Sequence, residues 1–180
     1  CDACAAVRVL VQDFDASRSQ RRIWNKNNDL TAEETPAVAT EEQYTLFSRY
    51  QRDRHGDGDM SRMDFFDYQA LIEDTAVETT LVEFRDAKGH LVAACLTDEM
   101  DMGLSAVYSF FDPELRSRSL GTHIILWLIQ RARSLDLTYV YLGFWIAEST
   151  KMAYKIKFRP IEIKRPEGWF LFEDAAECSG

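Results

Sequence analysis

Apolar positions change their spacing twice along this chain, and each change marks a different kind of element. Val7 to Val11 reads as a short strand and runs into the polar, basic stretch Ser17-Arg18-Ser19-Gln20-Arg21-Arg22. Thr31 to Ala39 holds Pro36, small residues and acids, the composition of a linker. From Thr40 the spacing is helical. Thr40-x-x-Gln43 fits a capping box, in which two side chains satisfy each other's backbone N–H groups, and Tyr44, Phe47 and Tyr50 form a stripe. Gly56 and Gly58 end that helix. A second helix is predicted from Ser61, with Asp64 completing another box and Phe65, Phe66 and Leu71 along it.

The pattern then turns to strands. Thr79 to Asp86 and His90 to Thr97 make a predicted hairpin around Ala87-Lys88-Gly89, and Leu104 to Phe111 a third strand. Asp112-Pro113 breaks it, and a basic loop runs to Gly121. Thr122 to Ser134 is predicted as a helix with Ile125, Leu128, Ile129 and Ala132 inward, followed by a buried strand over Tyr139 to Phe144. Ser149 to Lys155 is predicted as a short helix, and Pro160 precedes a last strand pair around Ile161 to Ile163 and Trp169 to Phe172. The expected organisation is an N-terminal piece over 1–30, a linker over 31–39, one main domain over 40–172 and a tail over 173–180. No internal repeat or low-complexity segment appears.

Composition allows one sizeable core: 180 residues, 46% hydrophobic, with four Trp among 12% aromatics, which excludes disorder. No apolar run of membrane-spanning length and no signal peptide is present, so a cytoplasmic protein without membrane contact is expected. Beginning at Cys1 without Met, inside a Cys-x-x-Cys pair, the chain is expected to lack an N-terminal segment.

Net charge is −9, which counts against nucleic-acid binding until its distribution is considered. Residues 29–115 carry twenty acids against six Lys/Arg, whereas residues 116–165 carry ten Lys/Arg against three acids. That basic block, with Arg116, Arg118, Arg131, Arg133, Lys151, Lys155, Lys157 and Arg159, can meet a polyanion while the remainder stays acidic.

Helices, an antiparallel run, then strand–basic loop–helix–strand is the element order of the GNAT acyltransferases: an α/β (α+β) fold with a mixed, largely antiparallel sheet flanked by helices. Its loop brings the backbone N–H groups of a helix N-terminus to the acyl donor's phosphates. Here Arg118-Ser119-Leu120-Gly121-Thr122-His123 approximates the Arg/Gln-x-x-Gly-x-Gly/Ala pattern of coenzyme A binders. His123 stands where that pattern has Gly or Ala, and a bulky side chain there is expected to crowd a pyrophosphate.

Several stretches in this order resemble the arginyl-tRNA–protein transferase family, whose bacterial relatives include aspartate/glutamate leucyltransferases. They are Val7-Arg8-Val9 with Ser17 to Arg22, Leu81-Val82-Glu83-Phe84, Tyr108 to Pro113 running into Arg118 to Thr122, Tyr139 to Ile146, and Lys151 to Lys155 with Phe158-Arg159-Pro160. Ala147-Glu148-Ser149-Thr150 departs from the Gly- or Cys/Ser-containing segment expected there. The resemblance implies a GNAT-like catalytic domain preceded by the remnant of a cysteine-containing region. It also implies transfer of Arg or Leu from aminoacyl-tRNA to a protein beginning with an acidic residue, which marks that protein for degradation. Partners are then aminoacyl-tRNA and proteins with N-terminal Asp or Glu, and not DNA.

The reaction is aminolysis of an activated ester, which needs alignment and oxyanion stabilisation more than a strong base. Tyr154 and His123 are candidates for proton transfer, although either can be plain helix packing. Arg116, Arg118, Ser119, Gly121 and Thr122 are candidates for the tRNA end, with Trp145 offering a stacking face to a terminal base. An acidic acceptor needs cations, and Arg18, Arg21, Arg22, Lys151 and Arg159 are available. Each is equally readable as a solvated surface charge.

No cofactor is expected for transfer. Cys1-x-x-Cys4 is half a tetrahedral metal site, and the resemblance implies a further pair upstream, so a metal or cluster belongs to the full-length protein. Asp57-Gly58-Asp59 fails the EF-hand spacing, which would need Gly and Glu where Arg62 and Tyr68 stand. No Gly-x-Ser-x-Gly elbow occurs. A coenzyme A-dependent N-acetyltransferase and a non-catalytic tRNA-binding adaptor are the competing readings.

Overall fold

Eight strands pair into one mixed sheet in the computed structural model, which describes residues 4–55, 62–150 and 152–172. The strands are β1 (Cys4–Leu10), β2 (Thr31–Pro36), β3 (Thr79–Arg85), β4 (Leu91–Met100), β5 (Gly103–Phe111), β6 (Tyr139–Ile146), β7 (Ile161–Arg165) and β8 (Gly168–Leu171). Their order is β2-β3-β4-β5-β6-β1-β7-β8, and every neighbouring pair is antiparallel except β5–β6. Four helices accompany them among the described residues: α1 (Arg18–Lys26), α2 (Glu41–His55), α3 (Phe65–Glu73) and α4 (Leu120–Ser134).

Local chemistry accounts for the helix starts. At α2 the box is as expected: Gln43 N donates to Thr40 Oγ1 at 3.3 Å and Thr40 N to Gln43 Oε1 at 2.9 Å. Ser17 and Gln20 do the same for α1. The helix predicted from Ser61 instead begins at Phe65, because Asp64 is itself the N-cap and pairs reciprocally with Asp67. Ser61, Gly56 and Gly58 lie outside the described residues.

Two further expectations are corrected. The stretch taken for a linker contains β2, which pairs with β3 from Thr31↔Arg85 to Pro36↔Thr80. Its acids and proline suit an edge strand, where one side of the backbone is unpaired. In place of the helix predicted over 149–155, the described residues form turns closed by i→i+3 bonds (Met152 N to Ser149 O, Lys155 N to Met152 O), with a short 3₁₀ turn at Lys155–Lys157. β1, within the piece set apart as 1–30, lies between β6 and β7 and is integral to the same sheet.

Each face of the sheet has its own core. α4 and α1 cover one face, with Ile124, Leu128 and Ile129 packed on Val7, Val9, Val82, Phe84 and Leu104. α2 and α3 cover the other over β3 to β5, with Phe47, Tyr68 and Ile72 on Leu81, Leu96 and Phe110. Buried Glu83 is held there by Gln43 Nε2 at 2.7 Å and Arg85 Nη2 at 2.7 Å, so its charge is compensated.

The feature that positions the site is the parallel pair. β5 and β6 are in register only at Gly103↔Tyr139, Leu104↔Val140 and Ser105↔Tyr141. Gly103 is required at this approach, since a Cβ there would lie 2.2 Å from Tyr139 O. Past it the strands part, β5 staying with β4 and β6 with β1.

Candidate active site

Tyr154 lines three cavities, one of which fills the gap where β5 and β6 part. The first, about 290 Å³, lies at the start of α4 among Tyr50, Arg54, Ser109, Phe111, Arg116, Ser119, Gly121 and Thr122. The second, about 390 Å³, occupies the gap itself, between Ala106 to Ser109 of β5, Leu142 to Phe144 of β6, Ile124 and Ile125 of α4, and Met152 and Lys155. The third, about 770 Å³, runs toward α1 among Ser17, Ser19, Gln20, Ile23, Thr122, Lys157, Phe158 and Arg159. No Asp or Glu is among the described residues that line them.

The α4 terminus is built for access. Ser119 holds φ +53°, in the left-handed region, and its side chain does not cap the helix. Thr122 N already donates to Ser119 O at 3.0 Å, so the N–H groups of Leu120 and Gly121 are the ones of the first turn left for the first cavity. Gly121 packs on Phe111, whose ring would be 3.1 Å from an added Cβ.

Burial sets the protonation states. The Tyr154 and Tyr108 phenols are pushed above their ordinary value by desolvation, and that of Tyr50 to about 12, so all three remain hydrogen-bond donors near neutral pH. Gln51 Nε2 donates to the Tyr108 hydroxyl at 2.5 Å. Lys155 Nζ donates to Phe144 O at 2.6 Å, and burial holds its ammonium below the usual lysine value.

Of the residues expected from the sequence, the fold brings Tyr154, Arg116, Ser119, Gly121, Thr122 and Arg159 to these cavities. Arg116 is also paired with Asp53 at 2.6 Å. Arg18 and Arg22 flank a shallow groove that shares Ser17 and Ser19 with the third cavity. Arg21 turns away, to the carbonyl of Ala16 and to Asp15 at 3.6 Å. Lys151 and Cys1 lie outside the described residues.

Arg118 and His123 point elsewhere. Arg118 Nε donates to Asn27 Oδ1 at 2.9 Å, and its fork also reaches Asp29, whose carboxyl it holds below the usual range. His123 is buried, with Trp24 at 5.4 Å and Phe84 at 5.6 Å between ring centroids. Desolvation, aided by the Arg118 charge, lowers its imidazole to about 4, so it is neutral. Its ring enters the core instead of the loop, so the expected crowding of a phosphate by His123 does not arise. Trp145 packs edge-on against Phe172 at 5.1 Å, and its buried indole N–H has no partner among the described residues.

Tyr50, Arg54, Tyr108, Ser109 and Lys155 escaped attention as site residues. Tyr50 reads only as part of a helical stripe, while Tyr108 and Lys155 sit in stretches singled out for other reasons. Cys4 is exposed with a free thiol, and no group of three or more His, Cys, Asp or Glu that could hold a metal occurs among the described residues.

Comparison with known proteins bears on the family and the fold. The family described as "Arginine-tRNA-protein transferase, C terminus" matches residues 42–165. An aspartate/glutamate leucyltransferase of Paramagnetospirillum magneticum is 53% identical over 172 residues, 96% of this chain and 70% of that protein. One from Rhodospirillum rubrum is 51% identical over 175 residues, 97% of this chain and 71% of that protein. Among solved structures, L-PGS from Bacillus licheniformis superposes with a TM-score of 0.62 at 14% identity, over 82% of this chain and 48% of that one. FemX gives a TM-score of 0.58 at 11% identity, over 87% and 57% respectively. A tandem GNAT protein of the clavulanic acid biosynthesis pathway gives 0.51 at 10%, over 86% and 48%. At such identities the likeness is one of fold, and that fold is GNAT-like.

Proposed function

Because the chain belongs to the arginine-tRNA-protein transferase family and is an aminoacyl-tRNA–protein transferase, we propose that it moves leucine from leucyl-tRNA to proteins beginning with Asp or Glu. The observation that carries this choice is the lack of any carboxylate among the described residues lining the three cavities. A transferred arginine would bury a guanidinium with nothing to pair it, at a cost of several kcal/mol. The gap cavity, with Val107, Ile124, Ile125, Leu142, Phe144 and Met152, suits an aliphatic side chain instead. The third cavity carries Lys157 and Arg159, which suit an acidic acceptor residue, with Ser17 and Ser19 beside them. The names of the relatives support the same donor and acceptors.

In this reading the α4 terminus and Arg116 receive the phosphate-bearing end of the tRNA. The acceptor α-amine enters from the third cavity and attacks the ester carbonyl. The new C–N bond forms, the C–O bond to the terminal ribose breaks, and the proton lost by the amine goes to the ribose oxygen. Tyr154, common to all three cavities and kept as a phenol, relays that proton. The ester itself supplies the driving force, so no cofactor is invoked. The described residues offer two free thiols, exposed Cys4 and buried Cys95, and no step is assigned to a metal. The product's N-terminal leucine would act as a degradation mark in the cytoplasm. No helix among the described residues is long and apolar enough to cross a membrane.

The test uses labelled leucyl- and arginyl-tRNA with peptides beginning Asp, Glu or Ala. Label passing from leucyl-tRNA alone to the two acidic peptides is the expected result. Transfer from arginyl-tRNA would overturn the donor assignment, and transfer to the Ala peptide the acceptor assignment.

A further inference from the structure

We propose that Lys155 is a catalytic residue, its ammonium holding the tetrahedral oxyanion formed when the acceptor amine attacks an aminoacyl ester seated where β5 and β6 part. The proposal rests on the transferase reading above and assigns it a residue for the charge that develops.

The argument begins with what the gap lacks. Aminolysis moves the carbonyl π electrons onto oxygen, and the oxyanion so formed must be met by a donor already in place. The gap cavity is walled by apolar side chains, three tyrosines and Ser109, and Lys155 is the one cation among its described lining residues. Low-polarity walls make that charge count for more than it would in water.

Its geometry leaves the ammonium both fixed and open. Lys155 Nζ is anchored by one hydrogen bond, to Phe144 O at 2.6 Å, and makes no ion pair among the described residues. An ammonium has three donors, so two remain to meet an incoming oxygen. Gly143 beside it, at φ +69°, carries no side chain, and a Cβ added there would lie 3.9 Å from Nζ. The absent side chain leaves the approach to the ammonium uncrowded.

The other cations are placed for other work. Arg116 and Arg54 line the first cavity, the former paired with Asp53, and Lys157 and Arg159 line the third. Tyr154 precedes Lys155 in the chain and shares the gap with it, so a proton relay and an oxyanion donor flank one carbonyl. When the C–O bond to ribose breaks, the electrons return to the carbonyl and Lys155 is left unchanged, with its proton retained. Its positive charge also disfavours the protonated form of an acceptor amine nearby, raising the fraction that can attack.

The test is steady-state transfer of leucine to an Asp-initiated peptide by wild type, Lys155→Met and Lys155→Arg, with leucyl-tRNA binding and thermal melting measured alongside. Lys155→Met is expected to lower kcat about 10²–10³-fold with KM for both substrates within about threefold, the pattern of an interaction made only in the transition state. Lys155→Arg, which keeps a cation, is expected to stay within about tenfold of wild type. A higher KM with unchanged kcat in Lys155→Met would overturn the proposal and leave Lys155 a ground-state contact. A matching fall in melting temperature and tRNA binding would make it merely a tie to Phe144. If Lys155→Met does not fold, an arginine variant that folds and binds tRNA but transfers no leucine would overturn it equally. Should wild type itself transfer no amino acid, the transferase reading fails first, and the oxyanion role with it.

Discussion

Asn27 and Arg118 hold each other reciprocally: Arg118 Nε donates to Asn27 Oδ1 at 2.9 Å, and Asn27 Nδ2 donates back to Arg118 O at 2.9 Å. The pair ties the end of α1 to the loop that starts α4. Asn27 is buried, so removing its amide leaves both groups of Arg118 without their partner. Asn27→Ala is expected to cost about 2–3 kcal/mol of stability, read as a lower denaturant midpoint at unchanged slope. A variant as stable as wild type would show that the tie is not maintained in solution.

Tyr154→Phe keeps the ring and removes only the hydroxyl. Leucine transfer is expected to fall by about 10²-fold while stability changes by less than about 1 kcal/mol. Equal rates for the two proteins would remove the hydroxyl from the mechanism.

His123 makes stability depend on pH in one direction. Its folded value is lowered from 6.5 to about 4. Above pH 6.5 both the folded and unfolded imidazoles are neutral and nothing is lost. Between 6.5 and about 4 the unfolded chain takes up a proton that the folded chain does not, so stability falls with pH and then levels off. The full loss is about 3 kcal/mol. Comparing unfolding free energies of wild type and His123→Phe across this range isolates the effect from other titrations. The two curves are expected to diverge by about that amount on acidification, and parallel curves would show an imidazole that is not excluded from water. Because the ring lies in the core and lines none of the three cavities, transfer near neutral pH is expected to stay within about threefold of wild type, provided the core repacks.

Gly103→Ala places a methyl group against the Tyr139 carbonyl, 2.2 Å away, at the one stretch where β5 and β6 are paired. Backbone cannot swing aside as a side chain can. A loss of about 3 kcal/mol or more is expected, with reduced transfer because the gap opens directly from this contact. Thermal melting checks it, and an unchanged midpoint would mean that the strands separate without cost.

Much of the fold could be read along the chain because its causes are local. The Thr40–Gln43 box, the β3–β4 hairpin and the strand–loop–helix from β5 to α4 are each specified within a dozen or so residues by capping, turn chemistry and apolar period. The candidate site was legible where it coincides with such a segment, as at Ser119, Gly121 and Thr122, or with a stretch that carries the family resemblance, as at Tyr154. Tyr50 and Tyr108 gave no sign of meeting Tyr154, since a helical stripe or a strand position says which residues are apolar and not what stands opposite.

By itself, then, the sequence determined most element types from Thr40 to Phe144, the charge division and the transferase resemblance, all of which follow from neighbours in the chain. Only the tertiary structure decided that β1 enters the middle of the sheet and that an acid-rich stretch becomes the edge strand β2. It also decided that Arg118 and His123 turn inward while Lys155 faces the gap. These outcomes depend on strand order and on which face of α4 is covered, and both are settled by burial between segments distant in sequence.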